Sequence, residues 1–219
     1  MTHQSASRNS TAHPLLLLSV VAGLAYPLVS DSGLPDSILL AAKGSGVALL
    51  ALYAAKQARS RDGWLLTATM AFGAIGDILL NIRFDAGVLA FAIGHVIAIC
   101  LYLRNRAQPV SLLHKCQLGL LPMAAFGMPW LILGAGDGLI GLAVYAALLT
   151  LMAVSALISR FPNHLVGIGA VLFLISDALI VARMGPLADV IGINLAVWLL
   201  YYLGQLLICV GVSRTLARQ

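Results

Sequence analysis

The segment Phe72-Gly73-Ala74-Ile75-Gly76-Asp77-Ile78-Leu79-Leu80-Asn81 sets a carboxylate inside a run apolar enough to lie in a lipid bilayer. Further along, Phe173-Leu174-Ile175-Ser176-Asp177-Ala178-Leu179-Ile180 does the same. An ionisable side chain at membrane depth costs roughly 2.5–3.5 kcal/mol on insertion scales, so such a residue marks a candidate functional site. Two of them in one small chain set the reading of everything around them.

The chain has 219 residues, 61% hydrophobic and 10% charged. Soluble domains run near about 25% charged. The balance therefore describes an all-α integral membrane protein and excludes an ordinary soluble enzyme. The length accommodates about eight spans of roughly 20 residues and little else. Helices that are apolar all round carry no informative periodicity, so the few polar residues inside the spans carry the information. The net charge of +5 is spread over span ends, which indicates topology and not nucleic-acid binding. Cys100, Cys116 and Cys209 are scattered without metal-ligand spacing and are read as small core residues.

Taken in order, residues 1–13 are a polar, unordered tail, 14–213 form a single eight-helix transmembrane domain, and 214–219 are a basic C-terminal tail. The expected spans are 15–30, 34–55, 63–82, 86–103, 116–134, 139–159, 165–184 and 190–212. Arg8 before the first run would also suit a signal peptide, but a retained helix gives an even span count and a consistent charge bias. Pro122 and Pro129 are expected to kink the fifth span, Pro109 lies in a basic loop, and Asp137 lies in a turn. Lys and Arg set orientation. Arg8, Lys56, Arg59, Arg61, Arg104, Arg106, Lys115, Arg160, Arg214 and Arg218 collect on one side, against Arg83 and Arg183 on the other, so both termini are expected in the cytoplasm. Asp77 and Asp177 then sit about 14 residues in from the inner ends of two outward-running spans, roughly 20 Å deep. Arg83 and Arg183 follow them at matched spacing, so spans one to four and five to eight are candidates for a weak 4+4 parallel repeat.

The remaining polar set can be weighed residue by residue. Asp77 and Asn81 are four apart and share a helix face, although an amide in a membrane is often interhelical glue. Lys43, near the middle of the second span, suits either a structural ion pair or a cation that tunes an aspartate. His95 shares a face with Phe91 and Tyr102, and a lone membrane histidine is commonly a packing group. Trp198, Tyr201, Tyr202 and Gln205 make a polar-aromatic face that also suits a packed core.

These residues, in this order, resemble the YhhN family. The carriers are Gly76-Asp77-x-x-Leu80 followed by Phe84, Gly87, Phe91 and His95, then Phe173-Leu174-Ile175-Ser176-Asp177, then Tyr201-Tyr202-Leu203-Gly204-Gln205-Leu206-Leu207-Ile208. Lys43 matches a lysine of the family's second span and Tyr145 a tyrosine of its sixth. Two departures stand out: Gly44 follows the lysine where the family often has proline, and Ala98 occupies a turn where it often has tyrosine. Characterised members are lysoplasmalogenases. The resemblance implies hydrolysis of a lysoplasmalogen vinyl ether to a fatty aldehyde and a glycerophospho-choline or -ethanolamine. It implies Asp77 and Asp177 as catalytic residues and Lys43, Asn81, His95, Tyr145, Tyr201, Tyr202 and Gln205 as substrate-binding residues. No cofactor is expected, and no metal either: a zinc site wants three or four ligands, and His95, Asp77 and Asp177 could in principle supply three. The two aspartates can divide acid and base roles if their environments differ. Asp77, with Asn81 nearby, is the choice for base or cation stabiliser, and Asp177 for acid.

The expected partners are a lysophospholipid substrate and the lipid bilayer, with no nucleic acid, in a bacterial inner membrane. The competing readings are a proton-coupled transporter with the aspartates as coupling sites, a metal-dependent membrane lipid hydrolase, and a purely structural membrane protein.

Overall fold

The computed structural model describes residues 3–107, 112–134, 136 and 138–218. The loop position of Pro109 and the turn position of Asp137 lie outside these residues. Among the described residues the chain is all helical: α1 (His3–Val29), α2 (Asp36–Gln57), α3 (Arg61–Ile82), α4 (Phe84–Arg104), α5 (Leu112–Leu133), α6 (Leu139–Leu157), α7 (Ile168–Ala182) and α8 (Ile193–Leu216). A wide π-helical turn, Asn163–Gly167, leads into α7.

Among the described residues six helical stretches are long and apolar enough to cross a membrane: Asp36–Gln57, Arg61–Ile82, Phe84–Arg104, Leu139–Leu157, Asn163–Ala182 and Ile193–Leu216. The other two helices carry shorter apolar stretches, Pro14–Val29 and Gly119–Leu133. Side chains such as Leu28, Leu131 and Ile140 are largely exposed on these helices. A surface of that kind is stable against lipid and not against water. The chain is a multi-pass membrane protein.

Two helices extend into the stretches expected to be tails. α1 begins at His3, inside the stretch read as an unordered tail, and α8 runs on to Leu216. Helix propagation adds one backbone bond per residue at little cost once a long apolar segment has nucleated it. Pro122 and Pro129 lie inside α5.

The chain folds as two compact units. The first comprises residues 1–98 together with 209–219, and the second comprises residues 99–208. In the first unit α1 packs on α2 and α2 on α3. Ser19 Oγ, fully buried, donates to Gly46 O at 2.7 Å and ties α1 to α2. Ser60 caps α3 by accepting from Gly63 N, and Asp62 in the first turn suits the positive end of the helix dipole. A single residue, Arg83, separates α3 from α4, which forces the two helices to run back along each other. The buried Cys209 thiol lies 3.6 Å from Leu50 O and joins the end of α8 to α2.

In the second unit α6 packs on α5 and α7, and α5 also meets α7. α7 and α8 approach to backbone contact: a Cβ on Gly169 would stand 2.7 Å from Gly204 O, and one on Gly204 the same distance from Gly169 O. Only glycine at both positions allows that approach. The connectors after α4 and α6 are clasped by a short antiparallel bridge between Arg106 and Ser159, with Arg160 N donating to Asn105 O at 2.7 Å. Buried Asn105 donates to Leu101 O, and Phe161 packs edge-on against Tyr102 beneath the clasp.

Candidate active site

Lys43, Asp77, Asn81 and His95 fall in the first unit, and Tyr145, Asp177, Tyr201, Tyr202 and Gln205 in the second. Each group is built by its own local packing.

In the first unit Asp77 is 2% exposed, on the buried face of α3. The residue before it explains part of that environment. Gly76 faces the Phe91 ring, and a Cβ there would stand 2.6 Å from Phe91 Cε2. Phe91 in turn stacks on His95, with ring centroids 6.5 Å apart and planes 23° apart. Gly76, Phe91 and His95 thus form one continuous packing chain from α3 to α4. His95 is buried, and its ring lies against an aromatic face. The missing side chain of Gly76 seats one aromatic ring against α3 at the residue before the aspartate.

Lys43 sits one residue before Gly44, whose missing side chain leaves room for Ile78 of α3. The approach places Lys43 Nζ 3.1 Å from Asn81 Oδ1, to which it donates. Lys43 therefore has an amide partner on α3, one helical turn beyond Asp77. Asn81 shares the Asp77 face by spacing but is exposed, because α3 ends immediately afterwards at Ile82. A residue that sequence reasoning did not single out is Tyr26 of α1, which lies within electrostatic range of both Asp77 and Asp31. The available signal was a phenol placed near the end of an otherwise apolar first span.

In the second unit Tyr145 Oη of α6 donates to Asp177 Oδ2 of α7 at 2.5 Å, and both side chains are partly buried. Beside Asp177, the fully buried Ser176 Oγ donates to Val197 O of α8 at 2.8 Å. On α8 the polar-aromatic face is a packed cluster. Trp198 meets Tyr201 at 5.7 Å and stacks on Tyr202 at 6.5 Å, and Tyr201 packs on Phe173 at 5.2 Å. Tyr202 is fully buried, and Gln205 is 3% exposed. Arg183 donates to Asn194 Oδ1 at 2.5 Å, fastening the exposed end of α7 to the start of α8.

Chemically, each unit supplies one carboxyl group inside a helix of apolar residues, and in the second unit a phenol from the neighbouring helix donates to it. Such groups can hold or move protons away from bulk water. Among the described residues, no three His, Cys, Asp or Glu side chains gather as a metal set.

A family model described as the YhhN family matches residues 38–212, a stretch that contains every site residue expected from the sequence. Among curated proteins and among solved structures, none matches the chain.

Proposed function

The chain belongs to the YhhN family, and from that premise we propose that it is a membrane hydrolase of lysoplasmalogenase type. Its substrate would be a lysophospholipid with a vinyl ether chain, cleaved to a fatty aldehyde and the glycerophospho-choline or -ethanolamine. The observation that carries this reading is the family match over residues 38–212, which spans both intramembrane aspartates. Their settings support it: Asp77 is nearly enclosed, and Asp177 is held by a phenol.

The chemistry matches what two carboxyl groups can do. Protonation of the alkenyl carbon remote from the ether oxygen gives an oxocarbenium ion. Water adds to the carbon bearing the oxygen and gives up a proton, forming a hemiacetal. The hemiacetal then breaks its bond to the glycerol oxygen, which takes a proton and leaves as the alcohol, releasing the aldehyde. One water is consumed and no electrons are transferred. The reaction needs a proton donor and a group that stabilises the cation or activates water, and Asp77 and Asp177 are assigned to these tasks. Lys43, Asn81, His95, Tyr201, Tyr202 and Gln205 are assigned to binding the lipid. The reading places eight membrane passes and both termini in the cytoplasm of a bacterial inner membrane.

The test is aldehyde release from a synthetic lysoplasmalogen by the purified protein, with the matching ester lysophospholipid as comparison. Equimolar aldehyde and glycerophospho product from the vinyl ether alone is the expected result. A protein that releases no aldehyde but drives proton-coupled flux in proteoliposomes would be a transporter instead.

A further inference from the structure

The polar side chains of α6 behave differently from one another. Thr150 turns back on its own helix and donates to Ala146 O at 2.8 Å. Tyr145 instead crosses to α7 and donates to the Asp177 carboxyl. It does so from among small neighbours, since Ala143 and Ala146 are buried on the same helix and bring its backbone close to the packed interior. The helix that carries this carboxyl is already fixed to α8. Ser176, the preceding residue, is locked to Val197 O of α8, and α7 and α8 touch at Gly169 and Gly204. The backbone that carries Asp177 is thus fixed against α8, while its side chain is fixed from α6.

An aspartate on a helix keeps rotation about two bonds, and its two oxygens are equivalent until something distinguishes them. One donor on Oδ2 removes that equivalence and selects a rotamer. A catalytic carboxyl has to meet its reacting atom within a few tenths of an ångström, and a misplacement of about 1 Å can cost about 100-fold in rate.

We infer that Tyr145 is a positioning residue for Asp177, not a contact to the lipid: its hydroxyl fixes which oxygen of the carboxyl is committed to the protein and which serves the reaction. The inference rests on the hydrolase reading for its consequence in turnover, while the bond itself is independent of that reading. It also reassigns Tyr145 from the substrate-binding role implied by the family resemblance.

The experiment compares Tyr145→Phe, which deletes one oxygen atom and keeps the ring, with the unaltered protein in the same detergent. The expected result is a kcat lower by about 10- to 100-fold with KM within about twofold. A raised KM at unchanged kcat would make Tyr145 a substrate contact and overturn the inference. A lowered melting temperature at unchanged kcat would make it a structural tie and overturn it equally. Infrared spectra of protein labelled with carbon-13 aspartate give a readout that needs no turnover. The band lost in Asp177→Asn should move in Tyr145→Phe, and an unmoved band overturns the inference. If the unaltered protein cleaves no vinyl ether, the hydrolase reading fails, and the infrared band still decides whether Tyr145 holds Asp177.

Discussion

Gly76 and Phe91 occupy complementary space: the Phe91 ring fills the position where a side chain on residue 76 would begin. The contact links the aspartate-bearing helix to the helix that carries His95. Gly76→Ala is therefore expected to push the ring and disturb its stacking on His95. Overpacking of this kind costs about 1–3 kcal/mol, seen as a lower melting temperature in detergent. Activity should fall with it, because residue 76 directly precedes Asp77 on the same helix. An alanine variant with unchanged stability and turnover would show that the ring relaxes freely and that the glycine has no such role.

Gly204→Ala places a methyl group 2.7 Å from a backbone oxygen, Gly169 O, which cannot swing away as a side chain can. The two helices must separate, and the bond from Ser176 to Val197 O is strained with them. A destabilisation of about 1–3 kcal/mol is expected, with turnover reduced through the displacement of Asp177. Thermal unfolding and aldehyde assays on the same preparation check both parts, and stability unchanged from wild type would contradict the close approach.

Lys43 and Asn81 should behave as a coupled pair. Interhelical hydrogen bonds in membrane proteins average about 0.6 kcal/mol by double-mutant cycles. Lys43→Met and Asn81→Ala are each expected to destabilise, and the double variant should lose less than the sum of the two. Strict additivity in unfolding measurements would mean that the bond from Nζ to Oδ1 carries no weight.

Ser176→Ala offers a contrast with its neighbour. It removes the bond to Val197 O and is expected to cost about 0.6–1.7 kcal/mol of stability. The Asp177 carboxyl retains Tyr145, so turnover should stay within about threefold of wild type. A loss as deep as that of Asp177→Asn would place Ser176 in the chemistry itself.

Much of this was legible in the residues because polarity is rare in an apolar chain. Asp77 and Asp177 stand out at once, and helix ends follow from charge and turn residues to within a few positions, as α3 and α6 illustrate. The residues flanking the aspartates were harder to read. Gly76 seats a particular ring, Gly44 admits Ile78 and so brings Lys43 to Asn81, and Tyr145 chooses Asp177. These are pairings between helices, and helices apolar on every side give no periodicity from which a facing partner can be read. Tyr26 escaped for the same reason: its relation to Asp77 is set by how α1 lies within its unit and not by any local motif. The polar N-terminal stretch went the other way, since composition alone gives no account of a helix prolonged past its apolar part.

The central claim is that both intramembrane aspartates perform vinyl ether hydrolysis. The most direct measurement is the initial rate of aldehyde release from a synthetic lysoplasmalogen by purified wild type, Asp77→Asn and Asp177→Asn, each verified as folded by its melting curve. The isosteric amides keep size and remove acid–base function, so each is expected to lower kcat by about 100-fold or more. Equal rates in all three folded proteins would contradict the assignment of Asp77 and Asp177 to the chemistry.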